Sequence, residues 1–438
     1  MAKVLPTGTD IQIATDAAFM SVVIDDEGGY KTSRSFTRGD LPYGVNLYAR
    51  IRHTHPQAGT SYWSPTIRFK VITPASAIGV CLDNTDTTKK GVFYWIDAAG
   101  NKVDSFNFQN HPTYAGISMA TLDADRAPVT MTKIPLFYIK TAAAGPVDSF
   151  AAGKKCWWLS DGPLPGFRPA ACFKRSTETD ANGKKVIAPY CYVGTYLGQQ
   201  ETVGGKNCIG SKKGQTIVSL PKDTADQYIA NRNDAGNSGF RMFDIWDLGA
   251  LQFLSLIAKA SADSQTVWGD NTGPVNTTPK TGDTNAKIIT KGTTAAPTVW
   301  LDDMWKCYGY YIDKLKFQDK AITLTSPDTN TAVSFGAAAA SSYTPPTSSG
   351  WVRDILDCPI TLGDDVHDLM EIFLPKTVTS TEAQATFTDM YEPSLSGAAY
   401  PVGGGLASFT TQPGLFYMGM AKGDGTDTVT IACRMAKS

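Results

Sequence analysis

The apolar pattern is densest in residues 245–258, where hydrophobic side chains lie on nearly every side of a helical projection. A helix with one face in solvent would carry polar residues on that face. Asp244 can cap the first turn, and Asp247 adds a second carboxylate near the positive end of the helix dipole. The pattern therefore predicts a helix buried at the centre of a larger, strand-rich body.

Shorter periods predict the surrounding elements. Apolar and polar residues alternate in 46–53 and again in 66–71, which is the two-residue period of a half-buried strand. Residues 93–103 predict a hairpin that turns at Ala-Gly-Asn. Residues 221–233 predict a helix that precedes the buried one.

Two stretches are dominated by small and polar residues and predict surface insertions rather than core. They lie near 262–299 and 336–350. The sequence contains neither an internal repeat nor heptads, so we do not expect a coiled coil to hold an oligomer together.

Composition excludes several classes of function. The 438 residues carry a formal net charge of −1, with 18% charged residues, which gives no reason to expect a nucleic-acid partner. No stretch has the length and apolarity needed to insert in a bilayer. Because the N-terminal residues lack a secretory pattern, we expect synthesis and folding in a cytosol.

The eight cysteines do not form the dense framework of a small disulfide-rich protein, and none are spaced as C-x-x-C. Free thiols are therefore expected, with later oxidation outside the cell left open. Four histidines also limit the chemistry. His53 and His55 share a strand face without further ligands nearby, and His111 is expected in a turn. His367 lies among carboxylates in 363–371, where a solvated acidic loop or helix start is favoured over a cation site.

Seven blocks follow one another along the chain, namely Ile134–Lys140, Cys156–Ser160, Gly166–Ala171, Tyr192–Tyr196, Gly239–Leu254, Gly414–Tyr417 and Val429–Met435. They resemble C-type-lectin-like modules of phage tail and fibre proteins. Their order and spacing match that family, whose fold is shared with the phage major tropism determinant and with formylglycine-generating enzymes. The resemblance covers roughly residues 90–438.

The N-terminal segment contains four further blocks, Asp10–Phe19, Leu41-Pro42, Leu47–Arg52 and Tyr62–Phe69. They resemble a fibronectin type III module of the kind joined to phage fibre proteins. The resemblance implies a small seven-strand sandwich.

Together the two resemblances imply a β-rich α+β chain. An immunoglobulin-like β-sandwich at 1–72 is expected to attach the protein to a virion. A linker and first strand follow at 73–90. Residues 91–438 are then expected to form a C-type-lectin-like fold with two helices and long loop insertions.

The resemblance places a ligand surface in the closing loops of the lectin-like module. Large aromatic or flexible apolar side chains there are the candidate receptor contacts, namely Tyr391, Tyr400, Phe409, Tyr417 and Met418. Phe416 is expected to face inward.

No catalytic, cofactor or metal residues are predicted. Glu392-Pro-Ser and Trp268-Gly-Asp-Asn are only partial forms of the calcium-dependent sugar motifs. Enzymes of the formylglycine-generating type use paired cysteines, and whether Cys307 and Cys433 meet is open. Metal is therefore expected to be dispensable.

The preferred hypothesis is a phage virion structural protein, a tail-fibre or tail-tip adhesin that binds a host-surface glycan or protein. Other virion proteins would be its partners, and a homo-oligomer such as a trimer is expected. One alternative is a capsid decoration or head-fibre protein without essential receptor binding. A second and weaker alternative is a formylglycine-generating-type enzyme. Tail or head location, the receptor, the oligomeric state and sugar binding stay open at this point.

Overall fold

The computed structural model describes most of the chain. The described residues are 6–34, 46–70, 76–123, 126–174, 187–234, 239–268, 280–282, 287–293, 296–305, 308–318, 321–328, 331–335, 345–362, 365–387, 389–393, 398–404, 414–421 and 431–437.

The chain divides into two compact units, Met1–Ala75 and Ser76–Ser438. The sequence boundary at residue 72 lies close to this division. The Pro/Ser linker itself falls largely outside the described residues. The strand expected in 73–90 is an interior strand of the second unit, hydrogen-bonded on both sides.

The first unit contains one antiparallel sheet in its described residues. Its strands are β1 (Gly8–Ala14), β2 (Val22–Asp26), β3 (Asn46–His55), β4 (Gly59–Thr60) and β5 (Ile67–Lys70). The order is β2-β1-β3-β4, and β5 also pairs with β3. The alternating strands predicted at 46–53 and 66–71 are therefore confirmed.

The core of this unit is small because the sheet buries few side chains. Ile13 and Leu47 are fully buried, with four partly buried apolar residues packed around them. On the other face, the guanidinium carbons of Arg50 and Arg52 each lie 4.5 Å from the Trp63 ring centroid. This stack fixes the segment before β5, since an arginine over an indole face is an attractive contact.

The second unit, here called the body, is rich in strands with few helices. Its first half comprises β6 (Ala77–Asp83), β7 (Val92–Asp97), α1 (Pro112–Ala115), β8 (Ser118–Leu122), β9 (Val129–Pro135), β10 (Tyr138–Ala142), β11 (Lys155–Ser160), β12 (Arg168–Pro169), β13 (Tyr190–Gly194), β14 (Gln199–Val203), β15 (Lys206–Gly210), α2 (Lys222–Asp234), β16 (Phe240–Met242), α3 (Ile245–Lys259) and α4 (Ser264–Trp268).

The second half of the body comprises β17 (Ile288–Thr293), β18 (Ala296–Leu301), β19 (Gly309–Tyr311), β20 (Leu315–Gln318), β21 (Ala321–Thr325), β22 (Ala332–Phe335), β23 (Gly350–Ile355), β24 (Pro359–Leu362), β25 (Asp365–Asp368), β26 (Pro375–Thr379), β27 (Met390–Tyr391), β28 (Ala398–Gly403), β29 (Gly419–Ala421), β30 (Ile431–Ala432) and β31 (Met435–Lys437). The β-rich α+β class expected from the sequence is confirmed.

Three sheets organise the body. The first has the order β12-β10-β11-β6-β7, and the second has the order β16-β31-β13-β9-β8. A third runs β22-β21-β20-β28-β19-β30, with β29 paired to β28. Strands distant in the chain are thus neighbours, and the last strand, β31, lies between β13 and β16.

Helix α3 is the central element, as the apolar pattern predicts. Asp244 caps it and forms a capping box with Asp247, and Ala260 ends it in the left-handed conformation at φ 46°. Every residue from Ile245 to Ala258 is buried. The helix packs against β6 and β11 of the first sheet. Burial on all sides explains why its sequence has no polar face.

The first sheet buries both of its faces. Val80, Trp157 and Ile139 point toward α3 and belong to the main core. Trp158 and Cys156 point the other way, into a separate small cluster. We call this second side the outer face of the sheet.

The insertion predicted near 262–299 is partly wrong. Residues 269–279 and 283–286 lie outside the described residues, but β17 and β18 form a hairpin. Ile288 and Ile289 are completely buried in the main core. The average polarity of the stretch obscured two adjacent isoleucines, which alone suffice to anchor a hairpin. The other insertion, 336–350, is mostly outside the described residues and ends at the buried Gly350 that begins β23.

Candidate functional site

Three of the five predicted receptor contacts are buried, and for these three the expectation of a surface position is wrong. Tyr391, Tyr417 and Met418 are only 1%, 0% and 3% exposed. Tyr400 is half-buried, with the Lys222 ammonium 5.0 Å from its ring centroid. Phe409 lies outside the described residues.

The reason is that the closing segments form part of the core. Tyr391 ends β27, which pairs with β23, and an isolated bridge joins it to Met418. The Tyr417 hydroxyl donates a 2.7 Å hydrogen bond to Glu392. Burial raises the pKa of both tyrosine hydroxyls. Phe416 faces inward as expected, and is buried beside Phe373 and Phe387.

An exposed aromatic surface lies instead on the outer side of the first sheet. We call Tyr94, Lys102, Val147, Phe150 and Lys154 the Phe150 surface. The rings of Tyr94 and Phe150 meet edge-on, with centroids 5.4 Å apart. The Lys102 ammonium lies 5.0 Å from the Tyr94 centroid, and that of Lys154 lies 4.8 Å from the Phe150 centroid. Val147 is 85% exposed and Phe150 is 37% exposed.

Local backbone geometry holds this surface in place. A side chain at Gly145 would lie 2.2 Å from the Ala151 carbonyl oxygen, so the two strands of the loop meet only because residue 145 is glycine. Asp148 adopts a left-handed conformation at φ 64°. The Ser149 hydroxyl donates to the Pro146 carbonyl at 2.7 Å. The segment 145–154 therefore presents Val147 and Phe150 from a fixed turn.

Sequence reasoning missed this surface. The only signal was a valine and a phenylalanine isolated among small and polar residues at 142–153. Large apolar residues usually indicate core, and one exposed residue alone needs no explanation. Here Phe150 packs edge-on against Tyr94 of β7, and Val147 precedes it in the same turn. Aromatic side chains are enriched at protein interfaces.

His367 and Glu371 are buried, which corrects the expectation that this histidine lies in a solvated acidic loop. The imidazole Nδ1 lies 3.1 Å from Glu371 Oε1, and its ring centroid lies 4.7 Å from that of Trp246. Arg168 reaches the same carboxylate oxygen at 3.5 Å. Asp368 caps the following 3-10 turn, and burial raises the pKa of its carboxyl.

A small cavity adjoins this cluster between Glu371 and α3. It is lined mainly by apolar side chains and has room for roughly one water molecule. A histidine beside a glutamate can exchange protons, but a cavity of this size does not admit a substrate. The arrangement instead joins β25 to α3 and β12.

The described residues hold no group of three or more His, Cys, Asp and Glu side chains that could bind a metal ion. Cys433 is buried, and burial raises the pKa of its thiol to about 12. Cys307 lies outside the described residues, so its pairing with Cys433 stays a hypothesis. Among the described residues, no helix has the length and apolar character required to cross a bilayer.

Compared with known proteins, the chain matches no family model and no curated protein. Three features of the molecule bear on its function: the two-unit architecture, the arrangement of the strands in the body, and the Phe150 surface.

Proposed function

We propose that this chain is a structural protein of a tailed-phage virion and acts as an adhesin. The first unit, a fibronectin type III-like module, attaches it to other virion proteins. The body, a C-type-lectin-like module, faces the host and binds a surface glycan or protein. A homo-oligomer such as a trimer would repeat the binding surface.

The single observation that carries the proposal is the convergence of the sequence blocks that resemble the phage modules. The blocks at 134–140, 192–196, 239–254 and 429–435 are separated by tens of residues along the chain. All four blocks reach one sheet, in which β9, β13, β31 and β16 are consecutive neighbours. Block 134–140 enters it at the end of β9 and continues into β10, and block 429–435 contains β30 and enters the sheet at Met435, the first residue of β31. Helix α3 follows β16 directly and fills the core. One module containing all four blocks requires such an arrangement.

In this proposal the Phe150 surface contacts the receptor, because the closing-loop residues Tyr391, Tyr417 and Met418 are buried. Aromatic rings held in a fixed turn offer contact area at low entropic cost. Lysines at their edges can pair with acidic groups of a partner. The body presents these groups together on the outer side of its first sheet, which suits a receptor that is both apolar and negatively charged.

A decoration role is the second candidate, favoured by the burial of Tyr391, Tyr417 and Met418. A protein that only reinforces a capsid needs no exposed anchors in its closing loops. The two candidates agree on virion location and differ on whether the body binds the host.

The test has two steps. Purified particles are first probed for the chain by mass spectrometry and by antibody labelling in the electron microscope. Its absence from particles would overturn the virion role. Purified chain is then added to cells before phage adsorption, where an adhesin competes and a decoration protein does not.

Variants make the second step specific. Phe150→Ala combined with Val147→Ser should weaken competition about tenfold or more, since desolvated aromatic anchors carry about 2 kcal/mol. Tyr190→Ala is the matched control, because Tyr190 is 38% exposed and also has a lysine over its ring, 3.5 Å from the centroid. Equal competition by both variants would contradict the assignment of the Phe150 surface.

A further inference from the structure

Two cysteines lie side by side on adjacent strands of the first sheet. The register of β6 and β11 sets Cys81 directly opposite Cys156. The same row across the sheet continues to Tyr94 on β7 and to Ala142 on β10. Both thiols lie on the outer face, in one buried cluster with Trp158.

This pairing is specific to one position in the fold. Among the described strands, Cys191 lies opposite Ile134 and Cys208 lies opposite Glu201. Only β6 and β11 bring two cysteines into register there. Residues directly opposite on antiparallel strands have α-carbons about 4.5–5.5 Å apart and β-carbons about 4.5–5.5 Å apart. A disulfide needs about 4.4–6.8 Å and about 3.5–4.5 Å respectively, so a small movement of the side chains suffices.

We propose that Cys81 and Cys156 are a disulfide-forming pair that links β6 to β11 when the chain meets a low-molecular-weight disulfide. The inference depends on the sheet register alone and does not depend on the proposed function. The pair lies next to the Phe150 surface, because Tyr94 is directly opposite Cys81 and Ala151 belongs to the same buried cluster.

The chemistry is thiol–disulfide exchange and balances without another reactant. One thiol loses its proton and attacks oxidised glutathione, which releases one glutathione thiol and leaves a mixed disulfide on the protein. The second cysteine then attacks the protein sulfur of that mixed disulfide and displaces the second glutathione. Two protein thiols are oxidised and one glutathione disulfide is reduced to two thiols.

The fold makes this reaction slow. Both side chains are fully buried, and the segment 145–154 contributes Ala151 to the cluster that encloses them. The Cys156 thiol donates to the Lys154 carbonyl at 3.2 Å. Burial raises the pKa of Cys81 to about 11 and that of Cys156 to about 12, so both are neutral thiols near pH 7. The attacking species is the thiolate, and the cover must open before it forms.

These properties give the pair a defined behaviour. A reducing compartment keeps both thiols reduced during synthesis and folding. An oxidising medium links them over time, and the link closes a long loop of chain in the unfolded state. The oxidised form should therefore melt about 3–6 °C higher than the reduced form.

The experiment uses the full chain with Cys172→Ala. Trypsin yields one peptide with Cys81 and another that begins at Cys156. Trypsin does not cut between Arg168 and Pro169, so the second peptide also contains residue 172. Cys172→Ala leaves Cys156 as the single cysteine of that peptide. The protein is incubated with oxidised glutathione at increasing urea concentrations. A parallel reduced sample without glutathione is treated with maleimide, and the urea concentration is raised until maleimide labels Cys81, which shows that the cover has opened. After the urea is removed, the linked peptides are measured without reduction.

The expected result is a peptide pair joined through Cys81 and Cys156 that separates on reduction. Cys81→Ser and Cys156→Ser should each abolish both the link and the rise in melting temperature, whereas Cys208→Ser should preserve both. Should a serine variant fail to fold, the corresponding alanine variant replaces it. Maleimide labelling of Cys81 without any linked peptide, or a stable glutathione adduct on either cysteine, would overturn the proposal.

Discussion

At the scale of single residues, the least typical environment is that of Asp302. Its carboxyl is buried, and burial followed by the neighbouring Asp303 raises its pKa to about 7. The Lys287 ammonium lies 3.6 Å away and offsets this only in part. The Arg434 guanidinium donates to the backbone carbonyls of both aspartates, at 2.7 Å and 3.0 Å, rather than to the Asp302 carboxylate.

This environment predicts a stability that falls as pH rises. A carboxyl in the unfolded chain has a pKa of about 3.9. Between that value and about 7, folded Asp302 keeps a proton that the unfolded chain has lost. Its contribution is therefore fully present at low pH and is lost as pH rises through about 7.

The measurement is the free energy of unfolding in urea at pH 5, 6, 7 and 8. Asp302→Asn removes this titration. Between pH 5 and pH 8, the free energy of unfolding of the variant should therefore fall by about 1 kcal/mol or more less than that of the wild type. Asp104→Asn, at an exposed aspartate, is the control and should keep the wild-type slope. Identical slopes for wild type and Asp302→Asn would show that another group governs the dependence.

At the scale of elements, helix α3 determines how the body packs. The Trp246 indole donates to the Thr325 carbonyl at 2.9 Å, and Leu254 is completely buried. A β-carbon at Gly249 would lie 2.4 Å from the Glu371 carbonyl oxygen. The helix thus touches the segment after β25 so closely that only glycine fits at this point.

Substitutions in α3 should therefore be severe. Trp246→Ala or Leu254→Ala leaves a cavity that costs about 3–5 kcal/mol. Gly249→Ala should also destabilise the protein, through overpacking rather than a cavity. Gln227→Ala, at an exposed position of α2, is the control and should cost less than about 0.5 kcal/mol. Urea midpoints measure all four, and an unchanged midpoint for Trp246→Ala would contradict the central position of the helix.

Elements with a strong local pattern were predictable from sequence. The capping box at Asp244 and Asp247 and the all-round apolar pattern located α3, and alternation located β3. Pairing between strands distant in the chain leaves no local signal in the sequence. Nothing around Tyr391 therefore indicated that it pairs with β23, opposite Gly350. An aromatic residue near a loop suits a contact surface and a core equally well, and only the tertiary pairing decides. Phe150 is the opposite case, an aromatic residue that the sequence did not indicate as exposed. Its exposure follows from the turn that Gly145 allows.

At the scale of the whole molecule, the two units differ in the size of their cores. Among its described residues, the first unit has a core cluster built on two buried side chains, those of Ile13 and Leu47, whereas the body contains a continuous core of several dozen buried residues. Buried apolar area is the main source of stability, and small domains bury a smaller fraction of their surface. The first unit should therefore unfold at a lower temperature than the body.

This difference yields a prediction about both stability and assembly. The full chain should show two calorimetric transitions, and a chain that begins at Ser76 should lose only the one at lower temperature. If the first unit attaches the protein to the virion, the shortened chain should fold but fail to join particles. A body variant such as Phe150→Ala is the control, because it should join particles normally while host binding declines. Normal incorporation of the shortened chain would assign attachment to the body instead, and loss of both transitions would show that the units do not fold separately.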